Sequence, residues 1–119
     1  MRMSYILEIS DQPPQVKAAI KIFGNTLRVG IIRQLYLGKT GRAEIAEALG
    51  VSDLALTRPI SSLIDHGLVH GKPIRGVPGR PMEYTLDVDA TNELFAALQD
   101  YYRGRTSLLP PIPEEEEPQ

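Results

Sequence analysis

Apolar residues recur at helical spacing along most of this chain, and glycine or proline residues separate the segments that show this spacing. The pattern predicts a first helix over residues 14–23, because proline is tolerated in a first turn, and a second over residues 26–37 with Asn25 as its N-cap. We expect Arg28 and Arg33 to point outward. The predicted apolar stripes are Val16, Ala19, Ile20 and Phe23 on the first helix, and Leu27, Ile31, Ile32 and Leu35 on the second.

The next stretch, residues 40–69, predicts two short helices joined by a tight turn. The first covers about residues 42–49, and the Glu44 carboxylate can accept the Gly41 N–H as half of a capping box. Gly50 then supplies a left-handed exit, which only glycine adopts without cost. Such a pair predicts a helix-turn-helix, whose second helix usually enters the major groove of DNA. The alternative is a helical hairpin that only fills a core.

The second helix of this pair has a clear start and a clear inward face. Ser52 is a good N-cap, and Asp53 in the first turn suits the positive helix end. Pro59 lies within the segment and lacks an N–H, which costs roughly 3 kcal/mol in an ordinary helix interior. We therefore expect either a kink at Pro59 or a helix that begins effectively near residue 58. The inward residues, at i, i+4 and i+7, are Leu56, Ile60 and Leu63.

A hairpin is predicted directly after the second helix. Alternating residues flank a Gly/Pro-rich middle, which indicates two strands and a long tip over about residues 71–81. A hairpin in this place is a wing, and a basic tip can lie along the DNA backbone or enter the minor groove. Val69 and Ile74 bracket one arm. The other arm has Met82, Tyr84 and Leu86 on one face, and the basic residues in or near the tip are Lys72, Arg75 and Arg80.

The last predicted helix covers residues 90–103, with either Asp89 or Thr91 as its cap. Its apolar stripe is wide and partly aromatic, so we expect it to pack on the first helix or against a partner copy of the chain. We assign it to a dimer interface. The stripe consists of Leu94, Phe95, Leu98, Tyr101 and Tyr102.

The chain divides into one domain with a segment at each end. Residues 1–12 form a lead-in that fits either a short strand or disorder, and residues 13–104 form the domain. Residues 105–119 form an acidic, proline-rich tail that is predicted to be disordered. No apolar run is long enough to span a bilayer, and the amino terminus lacks the features of a signal peptide. A cytoplasmic location without membrane association is therefore expected.

Charge and residue content narrow the function classes. The 119-residue chain has no cysteine, which removes disulfides, thiol catalysis and cysteine metal sites together. Its net charge of −2 includes four tail glutamates, Glu114–Glu117, whereas residues 25–86 hold eight Lys/Arg and five acids, a balance of +3. That balance permits phosphate binding. No carboxylate pair, nucleophile–base pair or phosphate loop suggests catalysis, so we expect neither an enzyme nor a cofactor.

Three motifs carry a resemblance to a known family. FGNTLRVGIIRQLY resembles the opening helix of ArsR-family regulators, and GRAEIAEALGVSDLALTRPISSLIDHGLV is similar to their helix-turn-helix almost position by position. GRPMEYTLD resembles the return strand of their wing. Residues 22–86 therefore look like the winged-helix regulators of the ArsR/MarR type in bacteria and archaea. The resemblance implies a mainly α fold with a small β-hairpin (α+β): a three-helix core and wing, with flanking N- and C-terminal helices.

The resemblance also implies roles for particular residues. Arg42 would meet the DNA backbone from the supporting helix, and Ser52 would cap the second helix and touch a phosphate. Arg75 and Arg80 would take the wing role, with Lys72 beside them. The positions that face bases in the family fall here on Asp53, Ala55, Thr57, Arg58, Ser61 and Ser62.

Two hypotheses about function follow. The first takes account of one difference between this sequence and the family. ArsR metal sensors carry cysteines where this chain has Gly41-Arg42-Ala43, so we expect a homodimeric, sequence-specific regulator of double-stranded DNA, a repressor without a metal effector. His66 and His70 span a helix end and a strand, and we interpret them as ordinary surface or partly buried histidines. The second hypothesis is a winged-helix module that binds a protein partner and does not read DNA.

Overall fold

A computed structural model describes residues 10–79 and 81–105, so residues 1–9, Arg80 and residues 106–119 lie outside it, with most of the predicted lead-in and tail. Within the described part, five helices and one hairpin confirm the predicted α+β winged helix-turn-helix. The helices are α1 (Pro14–Phe23), α2 (Thr26–Tyr36), α3 (Arg42–Leu49), α4 (Thr57–Asp65) and α5 (Val88–Tyr102), and the strands are β1 (Val69–Pro73) and β2 (Met82–Leu86).

The main core lies between α2, α3, α4 and the inner face of the hairpin. Helix α1 contributes one fully buried residue to it, Ile22, and otherwise packs along α5. Burial of such aliphatic side chains is the main favourable term in folding. The buried cluster consists of Ile22, Ile31, Leu35, Ile45, Ala46, Leu56, Ile60, Leu63, Leu68, Val69 and Tyr84.

Two predictions about side-chain direction need correction. Ile20 is 46% exposed, whereas Ile22, which the predicted stripe omitted, is fully buried. The buried arc of α1 is centred on Ala19, and the next residue in a helix points about 100° away from it. Arg28 was expected to point outward but is half-buried, because its guanidinium Nη1 donates to the Lys21 carbonyl oxygen at 3.0 Å.

The predicted starts of α2 and α3 are confirmed by their capping hydrogen bonds. Asn25 Oδ1 accepts the Arg28 N–H at 2.9 Å, which caps α2. Glu44 Oε1 accepts the N–H groups of Gly41 at 3.1 Å and Thr40 at 3.0 Å, which fixes the start of α3.

The hairpin has a shorter tip than the sequence predicted. The strands pair antiparallel from Val69 with Leu86 to Pro73 with Met82, so the loop covers residues 74–81 and not 71–81. Lys72 is therefore on β1, opposite Glu83, where opposite charges favour cross-strand pairing.

One hydrogen bond ties the hairpin to the segment before α3, and one close contact between cross-strand partners lies within the hairpin. The Tyr84 N–H donates to the Thr40 carbonyl oxygen at 2.9 Å, just before α3. Gly71 faces the Tyr84 ring so closely that a Cβ there would lie 3.0 Å from a ring carbon. The inner face of the hairpin is thereby fixed beside the helix-turn-helix.

Helix α5 begins earlier than predicted, and its cap is neither Asp89 nor Thr91. Asp87 Oδ1 accepts the Ala90 N–H at 2.9 Å, while the Thr91 hydroxyl donates to the Asp87 carbonyl oxygen at 2.8 Å. The helix packs on α1, and the rings of Phe23 and Phe95 meet edge to face at 5.3 Å. The first of the two alternatives for the aromatic stripe, packing on the first helix, is therefore confirmed within the chain. Among the described helices, none is both long and apolar enough to cross a membrane.

Candidate nucleic-acid interface

The predicted recognition segment has two parts. After Gly50, which has a left-handed φ of 71°, the chain forms a 3₁₀ turn over Asp53–Leu56, and α4 then begins at Thr57. Ser52 caps the turn, as predicted, because its Oγ accepts the Ala55 N–H at 3.2 Å. We call residues 52–62 the recognition segment.

Pro59 is accommodated because it lies in the first turn of α4. The first N–H groups of an α-helix have no partner within the helix, so the missing N–H of a proline removes no hydrogen bond there. The 3₁₀ turn shifts the start of α4 to Thr57, which places Pro59 third in the helix. Of the two expectations for Pro59, the one with a helix beginning near residue 58 is confirmed.

The recognition segment has a buried face and an exposed face. Leu56 and Leu63 are fully buried and Ile60 nearly so, as the spacing predicted. Ser62 was predicted to face bases, but it is half-buried, and its Oγ is shielded from water with no hydrogen-bond partner in the described part of the chain. The structure therefore does not bring Ser62 to the exposed face. The other residues predicted there are all exposed: Ser52, Asp53, Ala55, Thr57, Arg58 and Ser61.

Leu54 belongs to the exposed face, although it was not among the predicted base-facing residues. Its side chain is 80% exposed, the highest value among the exposed large apolar residues in the described part. A leucine in this position presents apolar surface to solvent. The sequence did contain a sign of this exposure. Leu54 lies between the cap Ser52 and the first inward residue, Leu56, and is not part of the predicted inward stripe.

Arg42 contacts the recognition segment instead of pointing freely into solvent. Its guanidinium Nη1 donates to Thr57 Oγ1 at 3.0 Å, and a longer contact of 3.4 Å reaches the Asp53 carbonyl oxygen. Sequence reasoning placed Arg42 and Thr57 on the same surface but did not predict that they bind each other.

The wing adjoins the start of the recognition segment. Lys72 on β1 and Arg75 in the loop are both exposed, and Arg80 lies outside the described residues. A cleft of about 410 Å³ separates the wing base from α3 and the 3₁₀ turn. Arg42 and Asp53 line one side of it and Ile74 and Met82 the other. The structure therefore brings the predicted wing and the recognition segment to one side of the domain.

Two carboxylates cap helices of the domain, Glu44 at the start of α3 and Asp87 at the start of α5. The N–H groups of Thr40 and Gly41 hold the pKa of Glu44 below its ordinary value, with a smaller contribution from the positive charge of Lys39. The pKa of Asp87 is lowered in the same way by the Ala90 N–H, and then by the hydrogen bond to His70. Both carboxylates therefore favour the charged form that caps their helices.

Each of the two histidines has a polar neighbour. His66 Nδ1 lies 2.8 Å from the Ser62 carbonyl oxygen, and His70 Nε2 lies 3.4 Å from Asp87 Oδ2. Across residues 10–79 and 81–105, no three histidine, aspartate or glutamate side chains come together as they would to hold a metal ion. The histidines therefore serve as hydrogen-bond partners of a helix end and a helix cap.

Comparisons with known proteins give matches among solved structures. No family model matches the chain. No curated protein sequence matches it either.

The similar solved structures are described as transcriptional regulators or as a DNA-binding domain of one. A structure from Enterococcus faecalis V583, described as a MarR-family transcriptional regulator, is 23% identical with a TM-score of 0.58, covering 82% of this chain and 90% of that one. A homodimeric winged helix-turn-helix DNA-binding domain from Mycobacterium bovis, described as a possible ArsR-family regulator, is 22% identical with a TM-score of 0.55, covering 80% and 91%. A transcriptional regulator homologue from Pyrococcus horikoshii OT3 is 20% identical with a TM-score of 0.55, covering 77% and 97%.

These likenesses define the class of fold. The chain has the winged helix-turn-helix fold, in the form found in solved structures described as ArsR-type and MarR-type regulators. The expectation drawn from the sequence motifs is confirmed at that level.

Proposed function

We propose that this protein is a sequence-specific regulator of transcription that binds double-stranded DNA through the recognition segment and the wing. One observation carries the proposal: the segment's buried face completes the core, while its opposite face is exposed beside the wing. A helix held in this way can enter a major groove without unfolding any part of the domain. In helix-turn-helix proteins, the amino-terminal residues of the second helix contact the base edges.

The exposed residues divide into two kinds of contact. Arg58 on α4 and Lys72 and Arg75 on the wing are cations that suit phosphates, which position a protein without reading sequence. Leu54 and Ala55 present apolar groups that suit the methyl group of thymine. Direct readout therefore depends on few polar contacts, and the cations supply much of the affinity.

A homodimer is the second part of the proposal. Helix α5 leaves Phe95 and Tyr102 exposed beside α1, and the Mycobacterium bovis domain of the same fold is described as homodimeric. A twofold dimer would present two recognition segments to half-sites one turn of DNA apart, roughly 34 Å. As a repressor it would act by occupying its site. The segment Gly41-Arg42-Ala43 offers no thiolate for a metal effector.

The test is DNA binding by the full chain and two matched variants. Fluorescence anisotropy would compare DNA from the protein's own upstream region with random DNA of equal length, over a range of salt. Arg58→Ala should weaken binding to the upstream DNA, because a contact between a cation and DNA is lost, and should lower the salt slope by about one contact. Arg33→Ala removes an equal charge from α2, whose exposed side lines a different groove, and should leave binding unchanged.

One result would reject DNA binding. If the wild type, Arg58→Ala and Arg33→Ala are all folded and none binds either DNA at low salt, the chain does not read DNA. The protein-interaction module would then become the better hypothesis. Equal losses from Arg58→Ala and Arg33→Ala would place the DNA elsewhere on the domain.

A further inference from the structure

We infer that Arg42 is a positioning residue that fixes the start of α4, within the recognition segment, through its contact with Thr57. This contact affects the preference of the protein for one DNA sequence over another more than its affinity for DNA in general. The inference rests on the proposed function, because it concerns how the same surface selects its DNA. Family resemblance alone placed Arg42 against the DNA backbone. The contacts in the structure point to a different role.

The guanidinium of Arg42 lies across the junction between the two parts of the recognition segment. Thr57, the first residue of α4, accepts a hydrogen bond from Nη1 at 3.0 Å. Asp53, the first residue of the 3₁₀ turn, presents its carbonyl oxygen to the same nitrogen at 3.4 Å. One side chain from α3 therefore contacts both parts.

The junction is packed into the core through Leu56 but has no side-chain cap, so the contact from Arg42 supplies a polar restraint that its own residues lack. The residue in the cap position of α4 is Leu56, whose buried aliphatic side chain makes no capping hydrogen bond. The Thr57 N–H donates to the Leu54 carbonyl oxygen, which is a 3₁₀ contact and not an α-helical one. Geometry of this kind is tighter and poorer than that of an α-helix and is used in short pieces.

The position of this junction matters more for contacts with bases, which determine sequence preference, than for contacts with phosphates. Ala55 lies before the junction and Ser61 one helical turn after it, and both are exposed on the proposed DNA surface. Base contacts require hydrogen-bond geometry at fixed edges of the groove, whereas phosphate contacts carry no sequence information. A shift at the junction would therefore reduce binding to the preferred site while leaving binding to random DNA nearly unchanged.

The phosphate-contact role predicts a different result. An arginine that only neutralises a phosphate weakens binding to all sequences similarly, and its loss lowers the salt slope by about one contact. It would also act independently of the Thr57 hydroxyl. The two roles can therefore be separated by selectivity, salt slope and additivity.

The experiment uses the full chain with Arg42→Ala, Thr57→Val, the double variant and Thr57→Ser. Thr57→Val removes the hydroxyl and keeps the shape, while Thr57→Ser keeps the hydroxyl and is the matched control. Anisotropy would measure the ratio of affinities for the preferred and random DNA at several salt concentrations. Arg42→Ala and Thr57→Val should each lower that ratio about fivefold, on the scale of one net hydrogen bond.

Additivity and the control complete the expected pattern. The double variant should lose no more selectivity than either single variant, because both remove the same contact. Thr57→Ser should lower the ratio less than Thr57→Val does, because it keeps the hydroxyl, and the salt slope of Arg42→Ala on random DNA should stay unchanged. Additive losses in the double variant, equal losses in Thr57→Ser and Thr57→Val, or a salt slope lowered by about one contact would each overturn the inference.

A measurement without DNA distinguishes failure of the inference from failure of the proposed function. Urea unfolding of the same four variants gives the coupling between Arg42 and Thr57 in the folded chain. Absence of coupling would show that the contact is not made, and the inference would be wrong whether or not the chain binds DNA. Coupling in a chain that binds no DNA would instead reject the proposed function, and the assigned role in sequence preference with it.

Discussion

The helix-turn-helix and the α1–α5 pair use their apolar residues differently. In the helix-turn-helix, Leu56 and Leu63 are fully buried, and the opposite face of the recognition segment is mostly small and polar. In α5, only Ala97 is buried, while Phe95 is 47% and Tyr102 69% exposed. Within the described residues, one region therefore completes its core, and the other leaves aromatic surface exposed. This difference favours a recognition unit that is fixed in each copy and an interface that a second copy would finish.

The largest expected effect is in the core of the helix-turn-helix. Leu63→Ala should lower the free energy of unfolding by about 2–5 kcal/mol, because it removes a fully buried side chain and leaves a cavity. Urea unfolding followed by circular dichroism would measure the change. Leu54→Ala is the matched control: its side chain is 80% exposed, so its effect should stay within about 0.5 kcal/mol. Similar losses in the two variants would contradict the division into buried and exposed faces.

The features that sequence predicted well depend on residues close together in the chain. Asn25 and Glu44 cap helices through N–H groups three or four residues away, and the Leu56, Ile60 and Leu63 spacing repeats within one helix. Local geometry determines such contacts, but residue type and spacing did not identify every one: α5 is capped by Asp87 and not by Asp89 or Thr91, although Asp87 is only three residues from the N–H that it accepts.

The other features that sequence missed depend on packing between distant segments. Ile22 replaces Ile20 in the core because α1 turns its Ala19 side inward, which the stripe alone did not determine. The Arg42–Thr57 contact joins residues 15 positions apart and requires the 3₁₀ turn that shifts the start of α4. Base-facing residues were predicted from resemblance, and their contacts with DNA remain predictions.

The second effect concerns the uncovered surface of α5. Tyr102→Glu should raise the dimer dissociation constant at least about tenfold, because it places a charge in the proposed apolar interface, and tenfold corresponds to about 1.4 kcal/mol. Sedimentation over a range of micromolar concentrations would measure it. Tyr36→Glu, at a tyrosine on α2 that is 68% exposed, is the matched control and should leave assembly unchanged.

Either of two results would alter the dimer proposal. A wild-type chain that is monomeric at every concentration would remove it. A Tyr102→Glu chain that still dimerises as the wild type does would place the interface away from the carboxyl end of α5. In that case, Leu98→Glu would test the middle of the same helix.

The smallest effect is a dependence of stability on pH that differs between the two regions. Glu44 fixes the start of α3 and Asp87 the start of α5, and the pKa of each is lowered in the folded chain by backbone N–H groups. A lowered pKa means that the stabilisation is complete above the ordinary carboxyl range, roughly pH 4–4.5. It is lost as the pH falls through the lower folded value, since protonation removes the negative charge that strengthens the hydrogen bonds from the backbone N–H groups.

Glu44→Gln and Asp87→Asn should each make urea stability fall less steeply between about pH 5 and pH 3 than it does in the wild type. Glu47→Gln, one helical turn further along α3, is the control for loss of a carboxylate that does not cap the helix, and should keep the wild-type steepness. For Asp87 the imidazole of His70 faces the carboxylate, so His70→Gln should reproduce a smaller part of the Asp87→Asn effect. Lys39 has the corresponding minor role beside Glu44. If Glu47→Gln flattened the pH dependence of stability as much as Glu44→Gln, the loss of any negative charge on α3 would explain the effect. The pH dependence would then not depend on the helix caps.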